Sequence, residues 1–345
     1  MNFREEIQKR ILIGEGAMGT LLYTTGVDQC YEELNLINPQ LVRGIHQAYV
    51  QAGAEIIQSN TYGANHFKLK RYGLEDQVSS INREGIKIAR SAAGDNCFVF
   101  GTIGATRNLR NSDMTIEEIK RSFREQLFSL LIENPDGILL ETYYDFEEME
   151  EVLKIARKET SLPIIANVTL HEIAYLQNGM HLSDALFRLE DLGADVVGVN
   201  CRLGPHHTIR SLEEVPLLKH AYLSAYPNAS LPEYSDGKLQ YEENPEYFGK
   251  SALVLREQGV RIIGGCCGTT PKHIEEVSKA LIDRTPIIEK KVKLRKVEVV
   301  ETHPVQKQEA LYETAKKKRT ILVELDPPKK LPVDVYMKGA KALTE

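Results

Sequence analysis

Three thiols carry the strongest chemical signal in the chain. Cys266 and Cys267 stand side by side in "RIIGGCCGTTP", Arg261 to Pro271, and Cys201 closes "DVVGVNC", Asp195 to Cys201. The only other cysteines are Cys30 and Cys97. Five thiols in 345 residues, an odd number, do not make a disulfide framework and point to a reduced, cytoplasmic setting. A vicinal pair also fits disulfide geometry poorly across a trans peptide. Reduced thiols can serve as metal ligands, as a redox pair, or as small buried hydrophobes. A glycine-rich loop that opens a helix offers a fourth reading, phosphate held by backbone N–H groups, which leaves Cys201 without a role.

The elements around these residues narrow the choice. Short apolar runs alternate with amphipathic helical patterns. The strand candidates are Ile11–Gly14, Ala54–Asn60, Phe98–Gly104, Gly137–Thr142, Pro163–Leu170, Asp195–Cys201, Ala221–Asn228 and Arg261–Cys267. Helical patterns cover Pro39–Ala52, Glu75–Ala93, Thr115–Glu133, Asp145–Glu159, His181–Leu192, Asn244–Gln258 and Pro271–Asp283, and less clearly Pro205 to His220. "SDMTIEEI" and "TTPKHIEEV" add helix-start signals, a polar cap before acids or before a proline. Apolar runs without alternation suit parallel strands buried on both faces. Repeated β–α units over about 280 residues predict an α/β fold, a (β/α)8 TIM barrel. The structural alternative is an open, doubly wound sheet.

In such a barrel the chemistry sits at the C-terminal strand ends. The polar residues at those ends are Glu15, Asn60, Thr102, Glu141, Asn167, Asn200, Cys201, Asn228 and the Cys266–Cys267 pair. Strands six and eight are next-nearest neighbours, so their terminal thiols can converge. A catalytic Zn²⁺ site uses three protein ligands and one open position, which suits Cys201, Cys266 and Cys267. A structural zinc site would show a fourth Cys or His and close CxxC spacing. The glycines around the vicinal pair would let both side chains face one ion. Inert packing and redox chemistry stay open on spacing alone. Glu15 and Glu141 are either solvated or placed to hold a substrate ammonium group. His206 and His207 read as loop residues, His273 as a surface residue, and Cys97 as a small packed residue on the opposite rim.

Composition excludes several classes. The net charge is −6 and no basic cluster precedes residue 290, so neither nucleic acid nor an anionic membrane is indicated as a partner. No apolar run is long enough for a transmembrane helix. The opening "MNFREEIQKRILIG" is too charged for a signal peptide. Residues 1–285 read as the barrel and 286–319 as a Lys/Glu-rich linker extension. Residues 320–345 read as the truncated start of a second domain, too short to bury a core.

"GVNC" and "GGCCGTTP", with "GEGAMGT", "QSNTYGAN", "LLET" and "YPNASLP", closely resemble the zinc-dependent homocysteine S-methyltransferases. The resemblance runs from about residue 8 to 285. It implies methyl transfer to the thiol of L-homocysteine to form methionine, with the zinc-bound homocysteine thiolate as nucleophile. Zn²⁺ would be held by Cys201, Cys266 and Cys267. Glu141 would bind the homocysteine ammonium, the backbone around Ala17 and Met18 its carboxylate, and Asn60 would complete the contacts. Asn228 matches a family asparagine near the metal. Glu15 departs from the family, which often has Asp there. No general acid–base pair is implied beyond the metal site.

The implied methyl donors are S-methylmethionine, S-adenosylmethionine, betaine, methylcobalamin or a methylfolate-linked carrier. No adenosine-binding fingerprint is present, and the absence of Trp argues against an aromatic box for betaine. "ILVELDPPKK", with Glu324, resembles the first strand of methylenetetrahydrofolate reductase. The whole layout is similar to the N-terminal half of the bacterial bifunctional transferase–reductase fusions, with the reductase domain in cis in the full-length protein. The alternative function is a catalytically silent barrel that serves as a binding or scaffolding module for that reductase.

Overall fold

The structure is a computed structural model. It describes residues 2–293 except Asp28, 108–113, 236 and 237, and beyond them only residues 316, 337, 338 and 341. Residues 1–295 form one compact unit. The expectations for residues 294–315, and for the reductase-like start at 320–345 apart from the isolated positions named, lie outside the described residues.

The strands are β1 (Leu12–Ile13), β2 (Ile56–Gln58), β3 (Phe98–Gly104), β4 (Gly137–Tyr143), β5 (Ile164–Val168), β6 (Val196–Asn200) and β7 (Tyr222–Tyr226). A hairpin of β8 (Pro232–Ser235) and β9 (Lys238–Tyr241) follows, then β10 (Val260–Ile263). The helices are α1 (Phe3–Lys9), α2 (Met18–Thr24), α3 (Leu34–Ile37), α4 (Pro39–Gln51), α5 (His66–Leu69) and α6 (Val78–Ala93). They continue as α7 (Ile116–Leu131), α8 (Phe146–Glu159), α9 (Leu182–Asp191), α10 (Pro205–Leu212), α11 (Pro245–Glu257) and α12 (Pro271–Leu281).

Eight of the strands form one sheet in the order β1-β10-β7-β6-β5-β4-β3-β2, every pair parallel. A parallel Gly14–Ile56 bridge joins the two edges, with Glu15 N–H donating to the Ile56 carbonyl and Glu55 N–H to that of Ile13. The ring is therefore closed, and the open-sheet alternative is excluded. Closure removes the unpaired edges that an open sheet would expose.

Alternate strand residues face opposite ways and fill two separate cores. Inside the ring lie Leu12, Ile56, Phe98, Phe100, Leu139, Ile165, Val196, Tyr226 and Ile262. Ile57, Val99, Ile138, Ile164 and Val197 face outward against the helices. The charged opening segment is α1, and its Phe3 and Ile7 plug the N-terminal end of the barrel. The Phe3 ring packs edge-on to Phe98 and Phe100 at 5.5 and 4.9 Å. This apolar plug stabilises the end away from the strand termini, which leaves the other end free for polar groups.

Several sequence expectations changed in detail. α7 is capped by Thr115, in a capping box with Glu118, rather than by the upstream Ser or Asp. α12 starts as expected at Thr270–Pro271, but its His273 closes the capping box and is fully buried rather than on the surface. His206 and His207 lie in the first turn of α10, not in a loop. Residues just after the barrel pack back on it, with Lys290 Nζ donating to the carbonyls of Leu212 and Val215 at 2.7 and 2.6 Å.

Gly198 pairs with Ser224 across β6 and β7, and a Cβ there would run into the Ser224 carbonyl oxygen. A backbone atom in a closed ring cannot move aside cheaply. Gly198→Ala is expected to lower unfolding free energy by about 2–3 kcal/mol, read as an earlier urea midpoint with unchanged slope.

Candidate metal centre

The three thiols meet at the C-terminal mouth of the ring. Cys201 follows directly after β6 and its N–H donates to the Tyr226 carbonyl at 3.0 Å. Cys201 and Arg202 both adopt left-handed backbone, with φ of 62° and 61°. A non-glycine residue held there costs about 1–3 kcal/mol, which the surrounding fold must offset. The cost is incurred where a side chain must leave the strand direction. The vicinal pair lies just beyond β10. Cys266 N–H donates to the Pro227 carbonyl, and the Cys267 carbonyl accepts from Ala229 N–H, both at 2.9 Å. Gly268 follows with φ of +80°. Both cysteine segments are thus tied to the end of β7, which lies between them in the sheet.

The Sγ atoms of Cys201, Cys266 and Cys267 all lie within 4.8 Å of one another, and Cys201 and Cys267 are 3.6 Å apart. Thiolates at 2.3 Å from a tetrahedral centre would be separated by about 3.8 Å. The trio therefore matches a soft metal, and it can bind one. Electrostatics point the same way. Hydrogen bonds from Cys201 and Cys266 pull the Cys267 thiol far below its ordinary range, whereas its bonds to the other two and burial push Cys266 far up. With no cation present, one thiolate is held by two thiols, because three adjacent negative charges repel. A divalent cation would supply the missing charge. Nearby Asn228 is buried and its Oδ1 lacks a hydrogen-bond partner, as expected of an oxygen available to such a centre.

A cavity of about 270 Å³ opens onto the thiols. Glu15, Ala17, Met18, Asn60 and Glu141 line it with all three cysteines. Sequence reading therefore placed eight residues around one space, whereas Asn228 is not among the lining residues. Glu141 ends β4, and burial, the Cys267 thiolate and Glu15 push its carboxyl up to about 8. Asn200 holds this corner: its Nδ2 reaches Thr142 Oγ1 at 2.6 Å and Glu141 at 3.3 Å, while its Oδ1 accepts from Thr142 N–H.

Glu15 is clamped. Its Oε1 accepts from Gln58 N–H at 2.7 Å and its Oε2 meets His46 Nδ1 at 3.0 Å, all of it buried. Ala17 N–H is already taken by Thr269 Oγ1 at 3.1 Å, and Thr269 Oγ1 in turn donates to the Cys266 carbonyl. Asn60 Nδ2 is likewise engaged, with the Tyr31 carbonyl and Asn35. The residues missed from sequence are His46, Asn200 as an organiser, Thr269 and Tyr49, whose hydroxyl bridges the Ala17 and Thr269 carbonyls. His46 carried a signal: it sits on the same helical stripe as Val42 and Tyr49, so it had to be buried and paired. Cys30 and Cys97 are buried away from the trio, Cys97 against the Ala54 carbonyl.

Residues 12–281 match the family model for homocysteine S-methyltransferase. The methionine synthase of Mycobacterium leprae is 30% identical over 300 residues, covering 80% of this chain and 25% of that protein. The methionine synthase of Mycobacterium tuberculosis gives 30% over 296 residues with the same coverage. The chain thus spans about a quarter of these relatives' length. Among solved structures, the metallated form of the homocysteine methyltransferase MmuM from Escherichia coli superposes with a TM-score of 0.69 at 23% identity. That alignment covers 81% of this chain and 99% of that one. A methyltransferase from Methanosarcina mazei gives 0.51 at 11% identity, over 79% and 94%. Both structural likenesses support the barrel fold. With the family model covering most of the barrel, the chain belongs to the homocysteine S-methyltransferase family of enzymes.

Proposed function

We propose that this barrel transfers a methyl group to the sulfur of L-homocysteine, giving L-methionine, at a zinc centre held by Cys201, Cys266 and Cys267. The observation that carries this reading is the three-thiol cluster at the mouth of a cavity that also holds the buried Glu15 and the half-buried Glu141. Three thiolates suit a soft cation and leave a fourth position open. Bound there, zinc would favour the thiolate form of a substrate thiol whose free value is near 8.5.

The chain's own residues bind and orient. Glu141 and the clamped Glu15 present carboxylate oxygens for the substrate ammonium. The Met18 N–H, at the start of α2, would receive the substrate carboxylate, since Ala17 N–H is spent on Thr269. Asn200 fixes Glu141 beside the thiols. The substrate sulfur attacks the donor's methyl carbon in line; the new S–C bond forms as the bond to the donor breaks, and the thiol proton leaves to solvent. No histidine, lysine or arginine lines the cavity among the described residues. Glu15, Glu32 and, once ionised, Glu141 give the lining carboxylates that suit groups carrying positive charge. The donor classes are those set out above. Among the described residues no helix is long and apolar enough to cross a membrane. A cytoplasmic site of action accords with reduced thiols. The reductase-like sequence at the C-terminal end supports a reductase domain in cis and a link to one-carbon metabolism.

Metal analysis of reduced wild-type protein is expected to give about one zinc per chain, and Cys201→Ala is expected to lose it together with methionine formation. A reduced wild-type chain that takes up no zinc would leave the scaffolding alternative standing. Glu141→Gln is expected to raise KM for homocysteine by about 10–100-fold while leaving zinc content intact, because a charge-assisted hydrogen bond to the ammonium is lost.

The raised carboxyl of Glu141 gives a pH test. It is protonated below about 8 and must ionise to pair with an ammonium, so ligand affinity should rise as pH rises through 6 to 8. L-Methionine has the ammonium but no thiol, so its inhibition constant isolates this group from thiol ionisation. The constant is expected to fall with pH in wild type and to stay flat in Glu141→Gln.

A further inference from the structure

Two polar side chains of the cavity hold oxygens that the fold does not use. Ile56, Phe100 and Leu139 face into the ring from β2, β3 and β4, which are neighbours in the sheet. Alternation puts the residues two positions further on, Gln58, Thr102 and Glu141, on the same inward face, nearer the mouth. All three line the cavity. Gln58 Oε1 and Thr102 Oγ1 are buried, in residues 9% and 1% exposed, and have no hydrogen-bond partner among the described residues. The main chain beside them is satisfied. Gln58 N–H donates to Glu15 Oε1 at 2.7 Å, Thr102 N–H donates to Ser59 Oγ at 3.0 Å, and the Thr102 carbonyl accepts from Thr61 Oγ1 at 2.7 Å. Only the two side-chain oxygens are left over. A buried oxygen without a partner costs stability, so folding alone gives no reason to keep either one.

We propose that Gln58 and Thr102 form an acceptor subsite for the substrate's ammonium group, completing the set that Glu15 and Glu141 begin. The inference deepens the homocysteine reading above and rests on it. A primary ammonium carries three N–H donors. One for each carboxylate leaves the third to be shared by Gln58 Oε1 and Thr102 Oγ1. Neutral oxygens suit that third place, because they accept without adding negative charge to two neighbouring carboxylates. An anionic group is excluded there: Gln58 Oε1 only accepts, and the Glu15 carboxylate is bonded to the same residue's N–H. A trimethylated nitrogen has no N–H to give and would leave both oxygens as they are. The subsite thus selects a primary ammonium over its quaternary counterpart.

The test uses the full chain and two variants of nearly constant side-chain volume, Thr102→Val and Gln58→Met. Three quantities are measured: steady-state kinetics with homocysteine, the inhibition constant of 4-mercaptobutanoate, and the urea midpoint without ligand. 4-Mercaptobutanoate is homocysteine with hydrogen in place of the ammonium. Each variant is expected to raise KM for homocysteine about 10-fold at unchanged kcat, from the loss of one hydrogen bond to a charged group. The constant for 4-mercaptobutanoate should keep its wild-type value, since that ligand brings no N–H to the oxygens. Thr102→Val should not lower the urea midpoint, because it removes a buried hydroxyl that bonds to nothing in the free protein. An unchanged KM in either variant would overturn the proposal while the methyl-transfer reading stood. Equal weakening of both ligands would overturn it too, as the mark of a distorted cavity. So would a lower urea midpoint in Thr102→Val, which would make the hydroxyl structural. Wild-type protein that forms no methionine from homocysteine with any donor would overturn both readings.

Discussion

The mutual repulsion of thiolates at three close cysteines is the constraint around which the C-terminal end of the barrel is organised. Cys201, Cys266 and Cys267 lie within 4.8 Å of one another, so at most one ionises at low cost without a cation. Three thiolates at this spacing are unfavourable unless a cation or a set of hydrogen bonds offsets their charge. Free cysteines placed only for packing would be spread through the apolar core, as Cys30 and Cys97 are. Here instead the backbone adopts uncommon conformations to bring thiols together. Cys201 and Thr142, at the ends of β6 and β4, both have positive φ, and Gly268 turns the chain after Cys267. Left-handed non-glycine residues at two strand ends facing one cavity are better explained by function than by folding.

That strain requires a stiff frame. The closed ring supplies it, because each strand end is fixed by two neighbours and no edge can fray. The mouth is cross-tied as well. Pro227 and Tyr226 carbonyls accept from Cys266 and Cys201, and Gly265 N–H donates to the Glu15 carbonyl. Thr269 links Ala17 to the Cys266 carbonyl, and Tyr49 bridges Ala17 and Thr269 from α4. A displacement of any one of these strand ends moves at least one thiol. The opposite end is closed by Phe3 and Ile7 and rimmed by ion pairs such as Arg4–Asp195 and Arg157–Asp195. Stability and chemistry are thus separated along the barrel axis, as is usual for this architecture.

Much of this arrangement was legible in the sequence because parallel strands buried on both faces read as unbroken apolar runs. The runs at Phe98–Gly104 and Gly137–Thr142 became β3 and β4 almost residue for residue. Once the strand ends were placed, the thiols and glutamates fell on one rim without further information. β1 and β2 proved shorter than their patterns, and past the end of β2 Ser59 and Asn60 line the cavity. What could not be read were partners set by three-dimensional neighbours. His46 pairs with Glu15 across 31 residues, and Tyr49 with Thr269 across 220. His273 looked exposed because a helix's first turn usually is, yet its ring turns back to cap Thr270 and packs edge-on to Phe248 at 5.5 Å. The hairpin did carry a signal, the Asp236–Gly237 pair within "YSDGKLQY". What the turn chemistry could not foretell is that its second strand would end against Gly268.

The two glutamates show how the site divides its work. Glu15 has both carboxylate oxygens engaged, by Gln58 N–H and by His46, so its position is fixed before any ligand arrives. Glu141 has one weaker contact, from Asn200, and burial favours its neutral form. An arriving ammonium would therefore meet one preorganised anion and one carboxyl that ionises in response. On the proposed reading, the same ligand brings a thiol to a centre that favours its deprotonation. Both events release a proton, and both are favoured by the charge opposite: the ammonium for Glu141, the metal for the sulfur. A ligand lacking either end would meet an anionic cavity with part of its charge unmatched. On that same reading, selection for a molecule with an ammonium and a thiol at fixed separation would rest on electrostatic balance. The glycine-flanked cysteine pair sets one end of that separation and the terminus of β4 sets the other.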